Sequence, residues 1–124
     1  MNCEILAVGT ELLLGNTVNT NAADLSNGLA ALGVNVFWHT VVGDNPGRLR
    51  DCVEIAKSRA DVIITTGGLG PTCDDLTKQI LAEAFGLPLV ESAAERASLY
   101  EYIQGGKNFT PNNFAQALIP EGAE

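Results

Sequence analysis

The chain has 124 residues and 7 Lys and Arg against 15 Asp and Glu, a formal charge of −8. That length bounds the fold to one domain with a real core. Its acidity, with Arg48, Arg50, Lys57, Arg59, Lys78, Arg96 and Lys107 scattered rather than clustered, excludes nucleic acid and anionic membranes as principal partners.

Ile5 to Val8 is a continuous apolar run bounded by Gly9, which predicts a strand covered on both faces, with Thr10 to Gly15 as the loop after it. Ala22, Leu25, Leu29 and Leu32 follow at helical spacing. Asn19 or Thr20 caps that helix and Gly33 ends it. Val34 to Val42 predicts the second strand, ending at Gly43-Asp44-Asn45; Asn45-Pro46 then opens a helix whose inner stripe is Leu49, Val53, Ala56 and Ala60. His39, the single histidine, lies beside Trp38 within the second strand and reads as structural.

Asp61 to Thr66 predicts the third strand, feeding Gly67-Gly68-Leu69-Gly70 and then Asp74-Asp75, which are expected to open a third helix. Leu76, Ile80, Leu81, Ala84 and Phe85 are its inner face and Gly86 its stop. Leu87 to Val90 is short and extended. Ser92 to Glu95 has capping-box spacing for a helix to about Gln104; Gly105 to Asn108 breaks it, and Thr110-Pro111 opens a shorter helix ending before Pro120.

Alternating strands and helices predict a largely parallel sheet with helices on both faces, a three-layer α/β/α sandwich. Each of the first three strands ends in glycine followed by acid: Glu11, Asp44, and Asp74 with Asp75. In such a sheet these loops share the carboxyl edge, where ligands bind. If the strand order is 2-1-3, Glu11 lies between the other two. Glycine-loop amides and a helix N-terminus favour an anion such as phosphate, so Thr66, Gly67, Gly68, Gly70 and Thr72 are candidate ligand contacts, Thr72 alternatively an N-cap. A carboxylate about 4 Å from a phosphate repels it by roughly 4 kcal/mol at an effective dielectric near 20. A divalent cation between them turns that repulsion into a clamp.

Cys3, Cys52 and Cys73 form an odd set without metal-ligand spacing and predict reduced thiols in a cytoplasmic protein. No signal peptide or membrane span is expected. The chain stops at Gly122-Ala123-Glu124 with no closing strand, as a fragment of a longer polypeptide would.

Five blocks in order carry a family resemblance: Gly9-Thr10-Glu11-Leu12-Leu13-Leu14-Gly15 with Asn19-Thr20-Asn21; Gly43-Asp44-Asn45; Gly67 through Thr77; Asn112-Asn113 with Gln116-Ala117; and Pro120 to Ala123. Together they resemble the N-terminal domain of CinA, the competence/damage-inducible protein, within the MoaB/MogA-like molybdopterin-binding superfamily. The resemblance covers nearly the whole chain. It implies either divalent-metal-dependent ADP-ribose pyrophosphatase activity, with magnesium the expected ion, or binding of molybdopterin as in molybdenum cofactor biosynthesis, with adenylyl transfer in some relatives. It further implies a homo-oligomer and a separate C-terminal nicotinamide mononucleotide deamidase domain; a third alternative is that this domain is a non-catalytic assembly platform for that deamidase. By the same resemblance Asp75 and Asp44 are the expected catalytic and metal-binding acids; from the residues themselves, Asp74 is a candidate further metal ligand and Glu11, between the other acidic loops, a candidate ligand contact. Asp74 stands where adenylylating relatives carry arginine, which favours a metal over a pterin phosphate.

Overall fold

The computed structural model describes residues 1–104 and 110–124. Three parallel strands, β1 (Asn2–Val8), β2 (Asn35–Val42) and β3 (Val62–Thr66), form a sheet in the order β2-β1-β3. The helices between them are α1 (Thr10–Leu13), α2 (Thr20–Ala31), α3 (Pro46–Arg59) and α4 (Thr77–Phe85). Beyond these, β4 (Leu89–Glu91), α5 (Ala93–Gln104), a 3-10 helix (Pro111–Ala117) and β5 (Leu118–Pro120) make a small second layer in which β4 and β5 pair antiparallel.

Alternation along β1 sorts the core into two faces. Cys3 and Ile5 point to one side and pack with Ala22 of α2, backed by Leu25 and Leu29. Leu6 and Val8 point to the other, where Leu49 and Val53 of α3 and Ile80 of α4 meet them. Helices therefore cover both faces, and the central strand is buried almost throughout. Glu4 is the exception in kind: fully buried on the α3 face, it accepts hydrogen bonds from Thr40 Oγ at 2.6 Å and from Arg59 Nε and a terminal guanidinium nitrogen, both at 2.8 Å. Arg59 in turn lies over the Trp38 ring, 4.7 Å from its centroid.

The expected caps of α2 and α3 are present: Asn19 Oδ1 accepts from Ala22 N, and Asn45 Oδ1 from Arg48 N, with Pro46 at the first helical position. Several expectations need correction. Thr10 to Leu13 forms one helical turn rather than an open loop. Asp74 and Asp75 do not open α4, which begins at Thr77. Thr72 is not the N-cap; Leu76 holds that position without a side-chain cap. Leu32 and Phe85 are exposed, because Leu32 sits past the end of α2 and Phe85 ends α4 under the Lys57 ammonium, 5.0 Å from its ring. Strand β5 replaces the end of the expected last helix, drawn out by pairing with β4. The helix break placed at Gly105 to Asn108 lies outside the described residues.

Candidate ligand site at the carboxyl edge of the sheet

All three candidate loops leave the same edge of the sheet, since the strands run parallel and each loop follows a strand's carboxyl end. The order β2-β1-β3 puts the Glu11 loop between the other two.

The loop after β3 is tight for reasons internal to the fold. Gly67 and Gly68 have φ of 82° and 63°, the left-handed region that disfavours side chains. A Cβ on Gly67 would lie 2.0 Å from the Val8 carbonyl oxygen, and one on Gly68 2.2 Å from Thr77 Oγ. Both glycines are thus required by contacts to β1 and α4. Thr77, fully buried, fastens the turn: its Oγ donates to the Gly67 carbonyl at 2.9 Å and its N–H to the Gly68 carbonyl at 3.2 Å.

Asp75 fastens the next segment. Its Oδ2 accepts from Thr72 N at 2.9 Å and from Thr72 Oγ at 2.6 Å. These bonds, first the Thr72 hydroxyl and then the Thr72 and Gly70 amides, hold its carboxyl below the usual carboxylate range against the opposing effect of burial. Asp44 plays the same part on the neighbouring loop: its Oδ2 accepts from Thr10 N at 3.0 Å and Thr10 Oγ at 2.9 Å. Asp74 is exposed beside Cys73.

A cleft of about 360 Å³ opens between the glycine loop and the second layer, lined by Gly68, Gly70, Thr72, Asp75, Lys78 and Ala115 among others. A smaller hollow of about 140 Å³ begins one residue earlier in the glycine loop, at Gly67, and takes in Thr66, Glu11, Asn19 and Asn21. Thr66 and Asn21 also border a third, apolar groove of about 590 Å³ beneath Leu25 and Leu29 of α2 and Leu32 just past its end. The structure therefore gathers Gly68, Gly70, Thr72 and Asp75 in one cleft and Thr66, Gly67 and Glu11 in the next, while Asp44 lines neither.

Residues 4–117 match the family described as "Probable molybdopterin binding domain". The chain belongs to the molybdopterin-binding domain family. Within it, the domain is 53% identical over 125 residues to the "Putative competence-damage inducible protein" of Thermoanaerobacter sp. (strain X514), and 54% identical over 124 residues to the protein of that name from Bacillus thuringiensis (strain Al Hakam). These matches take in 100% and 99% of the chain but 30% of each relative, so the chain spans about a third of the length of the curated relatives it matches. Among solved structures, CinA of Thermoplasma acidophilum, described as of unknown function, superposes with a TM-score of 0.83 at 33% identity, over 97% of this chain and 70% of that one. The molybdopterin biosynthesis enzyme MoaB of Thermus thermophilus shares the fold, with a TM-score of 0.65 at 24% identity over 96% and 78% of the two chains. The recognised kinship and the three-layer α/β architecture are thereby established.

Two residues, Thr77 buried behind the cleft and Lys78 lining it, escaped the sequence reading. Thr77 was legible only as part of the Asp75-Leu76-Thr77 run, since its partner lies ten residues back in the glycine turn. Lys78 reaches across to the carbonyls of Ala115 and Gln116, 37 and 38 residues away. Asn113 accepts at Oδ1 from Thr110 N and Oγ and so starts the 3-10 helix that roofs the cleft. His39 Nε2 lies 2.7 Å from Ser26 Oγ, which itself donates to the Ala22 carbonyl, so it ties β2 to α2. No helix among the described residues is long and apolar enough to cross a membrane.

Proposed function

We propose that the glycine-loop cleft binds a small molecule carrying a diphosphate and that the domain hydrolyses ADP-ribose there. The observation that carries this reading is the convergence of the Gly68 to Thr72 backbone and the first turn of α4, uncapped by any side chain, on one cleft at the carboxyl edge of the sheet. The Thr77 amide is taken by the Gly68 carbonyl and the Thr72 and Gly70 amides by Asp75, so an anion would be met by the other amides of the loop and of the first turn.

Among the described residues, no three His, Cys, Asp or Glu side chains are grouped to cage a metal. A magnesium ion there would have to rest on one or two carboxylates together with the ligand's own phosphates and waters. Asp75, which lines the cleft, and Asp74, the residue before it, are the carboxylates that the glycine loop offers, whereas Asp44 braces Thr10 outside the cleft. When bound, the ion neutralises phosphate charge and acidifies a coordinated water. The chain's own contribution is positional. Thr77 fixes the glycine turn, Asp75 fixes Thr72, and Asp44 holds the Thr10 turn between them. Hydrolysis then adds water to one phosphorus while the bridging oxygen leaves with the other phosphate, giving two monophosphates.

A second reading, molybdopterin binding, is favoured by the family match and by the apolar groove along α2, where a flat ring has room with polar Asn21, Asp24 and Thr66 at its rim. Phosphorus NMR of the full-length polypeptide with ADP-ribose and magnesium separates the two. Appearance of adenosine monophosphate and ribose phosphate, abolished by chelation, is expected. Tight calorimetric binding of molybdopterin with an unchanged ADP-ribose spectrum would favour the second reading.

A further inference from the structure

The cleft contains one cation whose charge no side chain neutralises among the described residues. Arg50, Lys57, Arg59 and Arg96 are each paired with a carboxylate, Glu83, Glu54, Glu4 and Glu91, while Arg48, exposed and outside the cleft lining, has none among the described residues. Lys78, at the second position of α4, has no such partner among the described residues. Its Nζ donates instead to two neutral carbonyls, Ala115 at 3.0 Å and Gln116 at 3.1 Å. Asp75, three residues earlier, does not reach it, because the Asp75 carboxylate is turned to Thr72.

Burial pushes the Lys78 ammonium below its ordinary pKa. A desolvated charge held by dipoles alone is costly, and an anion placed beside it recovers part of that cost. An ammonium carries three donors, of which two are used here. Lys78 also lines the cleft with Gly68, Gly70 and Thr72, and the carbonyl-bearing Ala115 lines its far wall.

We propose that Lys78 gives its third donor to a phosphate oxygen of the bound ligand, while its other two donors hold residues 115 and 116 over the glycine loop. This rests on the diphosphate reading above and names the cation of that site. Closing the cleft and binding the anion are then two duties of one side chain, since loss of the ammonium would free the wall and remove the charge together. A strap role alone would account for the carbonyl contacts, so the test separates strap from ligand contact.

Calorimetry on the full-length polypeptide uses two probes, inorganic diphosphate and ADP-ribose, with thermal unfolding recorded in parallel. Lys78→Gln is expected to weaken diphosphate binding about tenfold, the loss of one charge-assisted hydrogen bond, and Lys78→Arg to retain most of it. A lowered melting temperature in Lys78→Gln with unchanged affinity for both probes would leave only the strap and overturn the inference. Lys78-dependent diphosphate binding without any ADP-ribose binding or cleavage would uphold it and overturn the ADP-ribose reading instead. Binding of neither probe to the wild type would overturn both. Should Lys78→Gln fail to fold, amine labelling of the wild type decides: diphosphate is expected to protect Lys78 in the mass spectrum, and equal labelling with and without it would overturn the inference.

Discussion

The carbonyl oxygen of Val8 occupies the place that a side chain on Gly67 would need, 2.0 Å from the position of its Cβ. The end of β1 and the turn after β3 are therefore fitted to each other, and the geometry of the ligand loop is set by the central strand. Gly67→Ala combines a positive φ of 82° with this overlap, and about 3 kcal/mol or more of destabilisation is expected. Urea unfolding of the variant measures it; a change under about 1 kcal/mol, the scale of an unstrained Gly→Ala exchange, would show that the turn is looser than described.

Thr77 is the second clamp. Thr77→Val keeps the volume but removes the hydroxyl that donates to the Gly67 carbonyl, and the loss is expected to be about 1–2 kcal/mol with Thr77→Ser close to wild type. Denaturation of the two variants side by side checks this, with the serine variant controlling for packing.

Glu4 makes the fold sensitive to acid. The Arg59 guanidinium, hydrogen-bonded to it, holds its carboxyl below the usual range, with Thr40 assisting and burial opposing. A carboxyl lowered in the folded state stabilises the fold above its unfolded pKa and loses that contribution as pH falls through the folded value. Stability should therefore fall as the solution is acidified below the ordinary glutamate range, about pH 4.3. Glu4→Gln should be less stable at neutral pH and show a shallower loss in acid, read from urea midpoints at a series of pH values.

Asp75 obeys the same sign, because the Thr72 hydroxyl holds its carboxyl low, so the Thr72 turn stays fastened until the pH drops below the usual aspartate range. Asp75→Ala releases both Thr72 donors and is expected to lower affinity for ADP-ribose about tenfold or more, a loss of two charge-assisted bonds at the cleft wall. Asp44→Ala, whose carboxylate braces Thr10 outside both clefts, should have a smaller effect on affinity. Calorimetry on the two variants orders them, and equal losses would place Asp44 in direct contact with the ligand.

Much of the sheet was legible from the sequence because its signals are local. Apolar runs ending in glycine marked β1 and β3, and Asn45-Pro46 announced α3 within a residue. What escaped depends on distant partners. Leu118 to Pro120 carries no strand signal of its own and becomes β5 by lying against Leu89 to Glu91. The start of α4 shifted to Thr77 because Asp75 spends its carboxylate on Thr72, a turn that competes with helix and wins locally. The site divides in the same way. The glycines and acids of the loops were visible as residue types, and the sheet order brings their loops to one edge. Yet the contacts that make Gly67 and Gly68 necessary belong to Val8 and Thr77, and no spacing rule points to them.

The proposed diphosphate lies in the cleft between the glycine loop and the second layer, beside the first turn of α4. Crystals of the full-length polypeptide soaked with ADP-ribose and magnesium test this placement most directly. The account predicts difference density for two linked phosphates within hydrogen-bond distance of the Gly68 to Thr72 backbone and the first turn of α4. Density confined to the apolar groove of α2, or an empty cleft at saturating ligand, would contradict it.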